Sequence, residues 1–577
     1  MNDLEIPRGN VSFAVVGTGG KGAITAGSIL LEVAGKGGWH GLLNRSVGPQ
    51  IRGGEAAALV RLSTDPAFTM SKDFNILVAL DWKNADRFIS AMPVANGGVV
   101  IADPAAGQPP QVVLEADCTI VQVPIAEMAK AIDGGRENMI AVGLIAQLIG
   151  FAEDAVMEIV ATKLDRKGQK AVDIGRACLK AGMGAAEAIT PSFPLASAPE
   201  SDSRRWLITG NEAVGLGVLR GGVRFAAAYP ITPATEVLEY LAPALARIGG
   251  ALVQAEDELA SINMAMGASF GGRPSVTATS GPGLSLMMEG LGLAAGSETP
   301  VVVIDVMRAG PSTGIATKSE QSDLNIAVYG FHGDAPHVVM APLSVSDCLF
   351  TGQWAVHVAE SLQTPVIVLS DQSIGQSRVL IDRPADVTFL TRRKAFRATG
   401  EAYQRYAITA DGVSPMSIPG QPGGQYTSDG LTHSESGAPS SAAKDQREQM
   451  EKRARKIEMF DFGNYWGVTE GDAGARTVIL TWGSMSGAAK EALAADGVNA
   501  RLVALRLISP LPTAEIQSAL AGATRVLVVE QSASGQLFRH IRAEMDLPGE
   551  VRQLNREGPD LISPDEIAAI IRDWSAP

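Results

Sequence analysis

The sequence predicts a multidomain α/β protein, and three observations predict it. The chain has 577 residues, about four times a domain of roughly 150 residues, so a single core does not accommodate it. Short apolar runs of strand length alternate with stretches whose apolar residues recur at helical spacing, the pattern of βαβ units around a parallel sheet. Apolar residues make up 46% and charged residues 19%, a globular balance rather than a disordered one. Glycine (63) and proline (32) are frequent enough to supply the many tight turns such a fold needs.

The elements follow in order. An apolar strand, Val11 to Gly17, turns at once through Gly17-Thr18-Gly19-Gly20-Lys21-Gly22 into a helix from Ala23 to Val33. Strands are expected again at Asn75–Leu80 and Val99–Ala102, and a buried helix over the apolar run Met139 to Phe151. Residues 1–195 form one domain, and the small, polar and charged stretch 196–205 reads as a linker. A second α/β domain covers 206–386, with strands at Phe225–Tyr229, Ser275–Ala278, Val301–Val306 and Pro365–Leu369. Residues 387–470 are Gly-, Pro- and Ser-rich before a charged helix from Lys444 to Lys456, and read as an extended excursion ordered against a partner. A last βαβ segment, 471–577, has strands at Thr477–Thr481, Arg501–Leu505 and Val526–Glu530.

Composition excludes several function classes. A net charge of −14 without a basic cluster in the motif-bearing regions makes a poor ligand for a phosphate backbone, and 5% aromatics leave few base-stacking platforms, so nucleic acid is not an expected partner. Cys118, Cys178 and Cys348 are the only cysteines and are far apart, too few for a disulfide framework or a four-cysteine cluster. His332 and His337 frame a Gly-Asp-Ala-Pro turn and read as turn histidines rather than ligands, so no metal site is expected on this chain. The opening residues carry no basic segment followed by an apolar one, and the run Met139–Phe151 is shorter than the roughly 18 residues of a membrane span. A cytoplasmic protein without a membrane contact is the expectation.

The motifs carry more. Gly17-Thr18-Gly19-Gly20-Lys21-Gly22, between a strand and a helix, suits a pyrophosphate at a helix N-terminus. Nicotinamide binding also wants an acid about 20 residues on, and Lys36 to Ser46 holds none. A different phosphate ligand, or a turn without a ligand, stays open. Gly48-Pro49-Gln50-Ile51-Arg52-Gly53-Gly54 is an arginine turn that suits either an anion or a structural ion pair. In the second domain, Tyr229-Pro230-Ile231-Thr232-Pro233 closes a strand, with Thr232 expected to N-cap the next helix and Pro233 to open it. Glu256-Asp257-Glu258 opens an apolar helix, which suits its dipole, and at least one of these acids is expected to be buried. Thr279-Ser280-Gly281-Pro282-Gly283 and Arg308-Ala309-Gly310-Pro311-Ser312-Thr313-Gly314 each follow a strand; the arginine is placed for a substrate carboxylate.

In this order, and with Thr317-Lys318-Ser319-Glu320-Gln321-Ser322-Asp323 and His332-Gly333-Asp334-Ala335-Pro336, these segments resemble the alpha subunit of the 2-oxoacid:ferredoxin oxidoreductases. The arrangement is the one with a gamma-type domain fused ahead, and the 2-oxoglutarate branch is the best likeness. Trp482-Gly483-Ser484, Val529-Glu530-Gln531 and Gly535-Gln536-Leu537 extend the likeness to the C-terminal segment. The departures are Lys21 where the loop usually has Gln, Val47 and Gln50 beside the Arg-Gly-Gly, and Ala309 for a usual Gly.

The resemblance implies a Rossmann-like gamma-type domain, a pyrimidine-binding domain of thiamine-diphosphate enzymes and a transketolase C-terminal-like domain. It implies Glu258 as the cofactor-activating acid, Thr232 and Arg308 on the substrate, and Tyr229, Pro230, Ile231, Thr232, Glu258, Ser280 and Gly281 against thiamine diphosphate. Coenzyme A, a pyrophosphate ligand, is assigned to Gly19, Gly20, Lys21 and Arg52. No Gly-Asp-Gly run followed by paired asparagines holds a metal-bound diphosphate. The resemblance therefore puts Mg2+, the diphosphate grip and the iron–sulfur cluster on a beta subunit, with ferredoxin reached through it and the alpha–beta unit doubled. The implied reaction interconverts 2-oxoglutarate, coenzyme A and oxidised ferredoxin with succinyl-CoA, CO2 and reduced ferredoxin. Pyruvate or a branched-chain 2-oxoacid is the alternative substrate; Lys318, Arg378 or the partner would meet a distal carboxylate. An NAD-linked dehydrogenase and a non-catalytic scaffold subunit are the readings from other classes.

Overall fold

The computed structural model describes residues 7–47, 55–83, 85, 89, 92–200, 205–389 and 393–575. The chain divides into two compact units, Met1–Ile208 with Gln376–Pro384, and Thr209–Gly375 with Ala385–Pro577.

The first unit is built on an eight-stranded sheet. Its order is Cys118–Gln122, Val94–Ala102, Phe74–Ala79, Asn10–Thr18, Glu55–Ser63, His40–Val47, Arg378–Ile381 and Trp206–Thr209. The expected parallel βαβ pattern holds on one side, where Phe13 of the first strand lies opposite Ile76. On the other side the neighbours are antiparallel: Phe13 faces Val60, and Glu55–Ser63 pairs back on His40–Val47. The sequence reading passed over this pair because its apolar run, Ala56–Val60, is mostly alanine, a weak strand former, and Asn44, Arg45 and Arg61 flank the remaining apolar positions. Helix Ala23–Gly37 starts from Gly22 at φ 85° and lies hard on the sheet; a Cβ at Gly27 would come within 2.7 Å of that of Ala58.

The apolar run Met139–Phe151 lies largely in helix Glu137–Ile149, buried on nearly every face. It touches helix Gln169–Ala186 backbone to backbone: a Cβ on Gly143 would meet the Leu179 carbonyl, and one on Gly182 the Ile140 carbonyl, each at 2.2 Å. Among the described residues no helix is long and apolar enough to cross a membrane.

The second unit holds two sheets. The larger runs Leu507–Ser509, Val338–Met340, Pro365–Asp371, Val301–Met307, Ser275–Thr279, Phe225–Ala228, Ala251–Gln254, parallel except at Leu507–Ser509. The smaller runs Gly467–Gly471, Arg501–Leu505, Thr477–Trp482, Arg525–Glu530, Glu550–Asn555, with only its first strand antiparallel. The two share one core: Ile262, Met287, Val303 and Ile367 cluster with Leu480, Trp482, Val503 and Val528. A bidentate pair of Arg506 on Asp347, at 2.9 and 2.8 Å, fastens the two parts at the edge of that core.

The segment expected to order against a partner orders against its own chain. Arg393 grips Glu360 through two bonds of 2.9 and 2.8 Å, Arg405 and Tyr406 are fully buried, and helix Ala443–Glu458 turns Lys452 and Lys456 inward. Two of the charges that mark this helix in the sequence, Lys452 and Lys456, are the ones that anchor it.

Candidate active site

Four neighbouring parallel strands of the larger sheet, Ala251–Gln254, Phe225–Ala228, Ser275–Thr279 and Val301–Met307, end on one edge. The carboxyl edge of an open α/β sheet is where such folds bind ligands. Each strand delivers one of the motifs there.

After Phe225–Ala228, Tyr229 and Thr232 are exposed. Thr232 does not cap a helix. The N–H of Thr235 closes a turn on the carbonyl of Ile231 at 3.0 Å, so the helix runs Thr235–Arg247 with Ala234 at its N-cap. That turn leaves the Thr232 hydroxyl without a capping bond and turns its carbonyl toward Arg308, whose Nη1 donates to it at 2.6 Å.

After Ala251–Gln254, Asp257 is the N-cap of helix Glu258–Phe270, accepting the N–H of Ala260 at 2.6 Å. Glu258 is therefore the first helical residue and is buried, whereas Glu256 is exposed. No described residue donates a hydrogen bond to the Glu258 carboxylate. It lies against the opening turn of helix Gly281–Gly296, where a Cβ on Gly283 would stand 2.7 Å from its Oε1 and 2.1 Å from the hydroxyl of Thr279. Only glycine lets the two helix starts approach this closely. Ser280 precedes that turn in extended geometry, and its buried hydroxyl has no partner.

After Val301–Met307, Arg308 is 7% exposed and its Nε has no acceptor. Burial lowers the Arg308 pKa, while Asp323 and Asp305 raise it. Asp323 lies against the same helix start as Glu258: a Cβ on Gly281 would be 2.7 and 2.8 Å from its two oxygens. The segment carrying it is clamped by Gln321, which donates to the Trp482 carbonyl at 3.0 Å and accepts the Gln531 N–H at 2.8 Å. The C-terminal motifs thus hold the loop behind the site. Lys318 is half-buried, and burial lowers its pKa. Arg378 stands on a strand of the first unit, opposite Leu43.

His337 stacks on Phe331 with ring centroids 4.1 Å apart, its ring nitrogens on the carbonyls of Ala335 and Ala327. Among the described residues no group of His, Cys, Asp and Glu forms a metal site.

In the first unit, Gly19 and Gly20 form an exposed turn, with Gly20 at φ 100° and open space around it. Lys21 is turned away, onto Glu137 at 2.8 Å and the Leu80 carbonyl at 3.3 Å. Arg52 lies outside the described residues. The acid missing from Lys36–Ser46 stands instead after Phe74–Ala79, the strand parallel to the first. Asp81 Oδ2 accepts from the N–H of Thr18 at 3.1 Å and from its hydroxyl at 2.9 Å. It holds the glycine loop itself.

The chain matches three family models: pyruvate flavodoxin/ferredoxin oxidoreductase, thiamine-diphosphate-binding, over 216–453; pyruvate ferredoxin/flavodoxin oxidoreductase over 12–185; and pyruvate:ferredoxin oxidoreductase core domain II over 475–567. It is 34% identical over 374 residues to the 2-oxoglutarate synthase subunit KorA of Methanothermobacter marburgensis, covering 63% of this chain and 98% of that one. The chain belongs to the 2-oxoacid:ferredoxin oxidoreductase family. The alpha subunit of 2-oxoacid:ferredoxin oxidoreductase 1 of Sulfurisphaera tokodaii is 37% identical over 353 residues; the match covers 57% of this chain and spans only 55% of that relative's length. Among solved structures, 2-oxoglutarate:ferredoxin oxidoreductase from Magnetococcus marinus, with 2-oxoglutarate, coenzyme A and succinyl-CoA bound, superposes with a TM-score of 0.90 at 34% identity, over 98% of this chain and 99% of that one.

Every residue of the strand-edge site, from Tyr229 to Asp323, falls within the thiamine-diphosphate-binding match of this family. Asp305 is a neighbour of the site that the sequence did not single out, and Gly283, Gln321 and Asp323 were read only as members of motifs, without roles of their own. The one sequence signal for Asp305 was a carboxylate inside the apolar strand Val301–Met307.

Proposed function

We propose that this chain is the alpha-type subunit of a thiamine-diphosphate-dependent 2-oxoacid:ferredoxin oxidoreductase. Its reaction interconverts 2-oxoglutarate, coenzyme A and oxidised ferredoxin with succinyl-CoA, CO2 and reduced ferredoxin. One observation carries this reading: the buried, unpartnered Glu258 carboxylate, pressed on Gly283 at the sheet's carboxyl edge. Its setting fits thiamine diphosphate, because a ring nitrogen seeks a carboxyl that can hold or move a proton, and the orphaned Ser280 hydroxyl offers a further polar contact.

Thiamine diphosphate, when bound, supplies the electron sink for cleaving the bond to the departing CO2. The chain's own residues do the rest. Glu258 exchanges a proton at a carboxylate oxygen with that ring nitrogen. Arg308 offers its guanidinium to the substrate carboxylate, and the free Thr232 hydroxyl donates to the 2-oxo group. Tyr229, Pro230, Ile231 and Gly281 line the cofactor's approach. In the first unit the turn at Gly19 and Gly20, with Arg52, is assigned to coenzyme A, while Lys21, held on Glu137, is left out of that assignment.

A beta subunit completes the site. It brings Mg2+, the diphosphate grip and the iron–sulfur cluster that passes electrons to ferredoxin, and the alpha–beta unit pairs with a second copy. Exposed Tyr229, Leu259, Met264 and Leu286 on the site-bearing elements support such a partner, since a partner covering these elements would take their apolar surface out of water. A cytoplasmic location follows from the same chemistry of reduced ferredoxin. The reading is tested with the co-expressed alpha–beta enzyme, comparing coenzyme A-dependent ferredoxin reduction by 2-oxoglutarate, pyruvate and 2-oxoisovalerate. 2-Oxoglutarate is expected to give the highest kcat/KM; a preference for either other acid overturns the substrate, and no turnover of any overturns the function.

A further inference from the structure

The turn that presents Thr232 is held by its own carbonyls. Three consecutive ones are taken: Ile231 by the N–H of Thr235 at 3.0 Å, Thr232 by Arg308 Nη1 at 2.6 Å, and Pro233 by Asn211 Nδ2 at 3.0 Å. The last donor comes from outside the strand-edge motifs. Asn211 is the second residue of helix Gly210–Arg220 and is fully buried. Its Nδ2 also donates to Glu236 Oε2 at 3.4 Å, in the first turn of helix Thr235–Arg247. One amide thus spans the end of the turn and the start of the next helix.

The place of Asn211 is itself fixed. The Glu212 N–H donates to the Thr209 hydroxyl at 3.1 Å and the Thr209 N–H to Glu212 Oε2 at 2.9 Å, a reciprocal cap that sets the helix start. Behind it, a Cβ on Gly210 would stand 2.5 Å from the Ile374 carbonyl, and one on Gly375 2.8 Å from Asn211 Oδ1. Four residues on, along the same face, a Cβ on Gly215 would come within 2.8 Å of the Tyr240 ring, so the two helices touch closely. Asn211 Oδ1 receives no donor. A buried amide is costly to leave half-paired, and a leucine of similar size would fill the space without that cost. What Asn211 adds is its two donated bonds.

We propose that Asn211 is a positioning residue for the reaction: together with Arg308 it fixes the Thr232 backbone so that the Thr232 hydroxyl meets the 2-oxo group of the substrate. The 2-oxo oxygen gains negative charge as the reaction proceeds. A donor held at that oxygen therefore stabilises the transition state more than the bound substrate. Loosening Thr232 lowers kcat, whereas Arg308, buried at the end of its own strand, keeps the substrate carboxylate and with it KM.

This inference rests on the proposed contact between Thr232 and the substrate, and its test separates the two. In the alpha–beta enzyme, Asn211→Leu keeps the volume and removes both donated bonds. With 2-oxoglutarate, kcat should fall about 10- to 100-fold, the range for a displacement approaching 1 Å, and KM should stay within about threefold. Gly375→Ala presses on the same amide from behind with its donors intact, and should lower kcat in the same direction. Thr232→Val removes the hydroxyl. Adding Asn211→Leu to it should cost less than about threefold more, because a residue that acts through another is not additive with it. Ser344→Ala, which removes a helix cap in the same unit, reproduces a general loss of stability and should leave kcat unchanged. Full kcat in Asn211→Leu, or in Gly375→Ala if the leucine variant does not fold, overturns the positioning role. Losses that multiply in the double variant overturn it too, since Asn211 would then act independently of Thr232. Hydrogen exchange in the full chain judges the hold without turnover: Asn211→Leu should speed exchange across 229–236, and unchanged exchange there overturns the inference. If Thr232→Val keeps full kcat, or the wild type turns over no 2-oxoacid, the proposed function fails at that residue or altogether, and the positioning role falls with it even where exchange shows the hold.

Discussion

The Glu298 carboxylate accepts a hydrogen bond from Lys452 at 2.7 Å and pairs with Lys456 at 3.1 Å, residues 154 and 158 positions further along the chain. All three side chains are buried. Arg405 closes the cluster by donating to the Glu298 carbonyl at 2.8 Å, and Glu298 itself is held at φ 53°, where side chains are disfavoured. Burial pushes the Glu298 pKa up, but Lys456, Lys452 and Arg405 outweigh it and hold the group well below the usual carboxylate range. Burial takes Lys452 down to about 8 in spite of Glu298. An anion between two ammonium groups in the interior fixes the helix Ala443–Glu458 to the sheet domain more specifically than apolar packing would.

Glu298→Gln leaves two buried ammonium groups without their counter-ion. Removing one partner of a buried pair costs about 3–5 kcal/mol. Denaturant unfolding should register that loss, and limited proteolysis should cut first within 393–458. The sign with pH follows from the depressed carboxylate: the stability it contributes is full above the unfolded value of about 4.3 and is lost as pH falls below it. Lys452, also depressed, has the same sign in a different window, with stability rising as pH climbs from about 8 toward the unfolded value of about 10.4. The gap between wild type and Glu298→Gln should therefore narrow in acid; a gap unchanged from pH 7 to pH 3 rejects an ionised Glu298.

Much of this architecture was legible because parallel strands buried on both faces are written as continuous apolar runs. Val301–Met307, Pro365–Asp371 and Arg525–Glu530 lie within one or two residues of where periodicity put them. The antiparallel pair His40–Val47 and Glu55–Ser63 was not, since its apolar run, Ala56–Val60, is mostly alanine and carries little strand signal. In the site, Glu258 and Arg308 were legible because each opens or follows a recognisable element. Asp305 was hidden by its apolar neighbours, and Asp81 because the intervening hairpin puts the parallel strand some 30 residues later than a simple βαβ unit would. The inward role of Lys452 and Lys456 was not legible either, because the residue that buries them, Glu298, lies 154 positions before Lys452 and no local pattern links the two.

Gly283→Ala probes the contact between the two helix starts. The added methyl would meet the Thr279 hydroxyl and Glu258 Oε1, so Glu258 must shift by a substantial fraction of an ångström or more. Displacements of about 1 Å at a reacting group cost on the order of 10²-fold in rate, and kcat should fall by that order with folding retained. Gly296→Ala, at the end of the same helix with open space around it, is the control and should leave turnover unchanged. Equal activity in both variants would remove the proximity argument for Glu258.

Gly19→Asp tests the coenzyme A assignment of the first unit. The turn is exposed and held by Asp81 through Thr18, so a side chain there can be accommodated without disturbing the sheet. A carboxylate facing a pyrophosphate should raise KM for coenzyme A by at least about tenfold, one repulsive contact's worth. Decarboxylation in the absence of coenzyme A should be spared. An unchanged KM in a folded variant would leave the loop with a structural role only.

Glu258 and Glu256 are two residues apart and differ in everything the reaction needs. Glu258 is buried on Gly283 without a donor, whereas Glu256 is exposed ahead of the Asp257 cap. A ring nitrogen needs a carboxyl that can share its proton. Gln at 258 can still hydrogen-bond but cannot take a proton, so Glu258→Gln should bind thiamine diphosphate and lose about 10²–10⁴-fold in turnover, the usual share of a general acid–base group. Glu256→Gln removes a charge near a helix N-terminus and should cost only about 0.3–1 kcal/mol of stability, with turnover kept. Both are measured in the alpha–beta enzyme, following exchange of the cofactor's C2 proton by NMR beside steady-state rates. Exchange surviving in Glu258→Gln but abolished in Glu256→Gln would move the activating carboxylate by two residues, and exchange surviving in both would place it outside this helix.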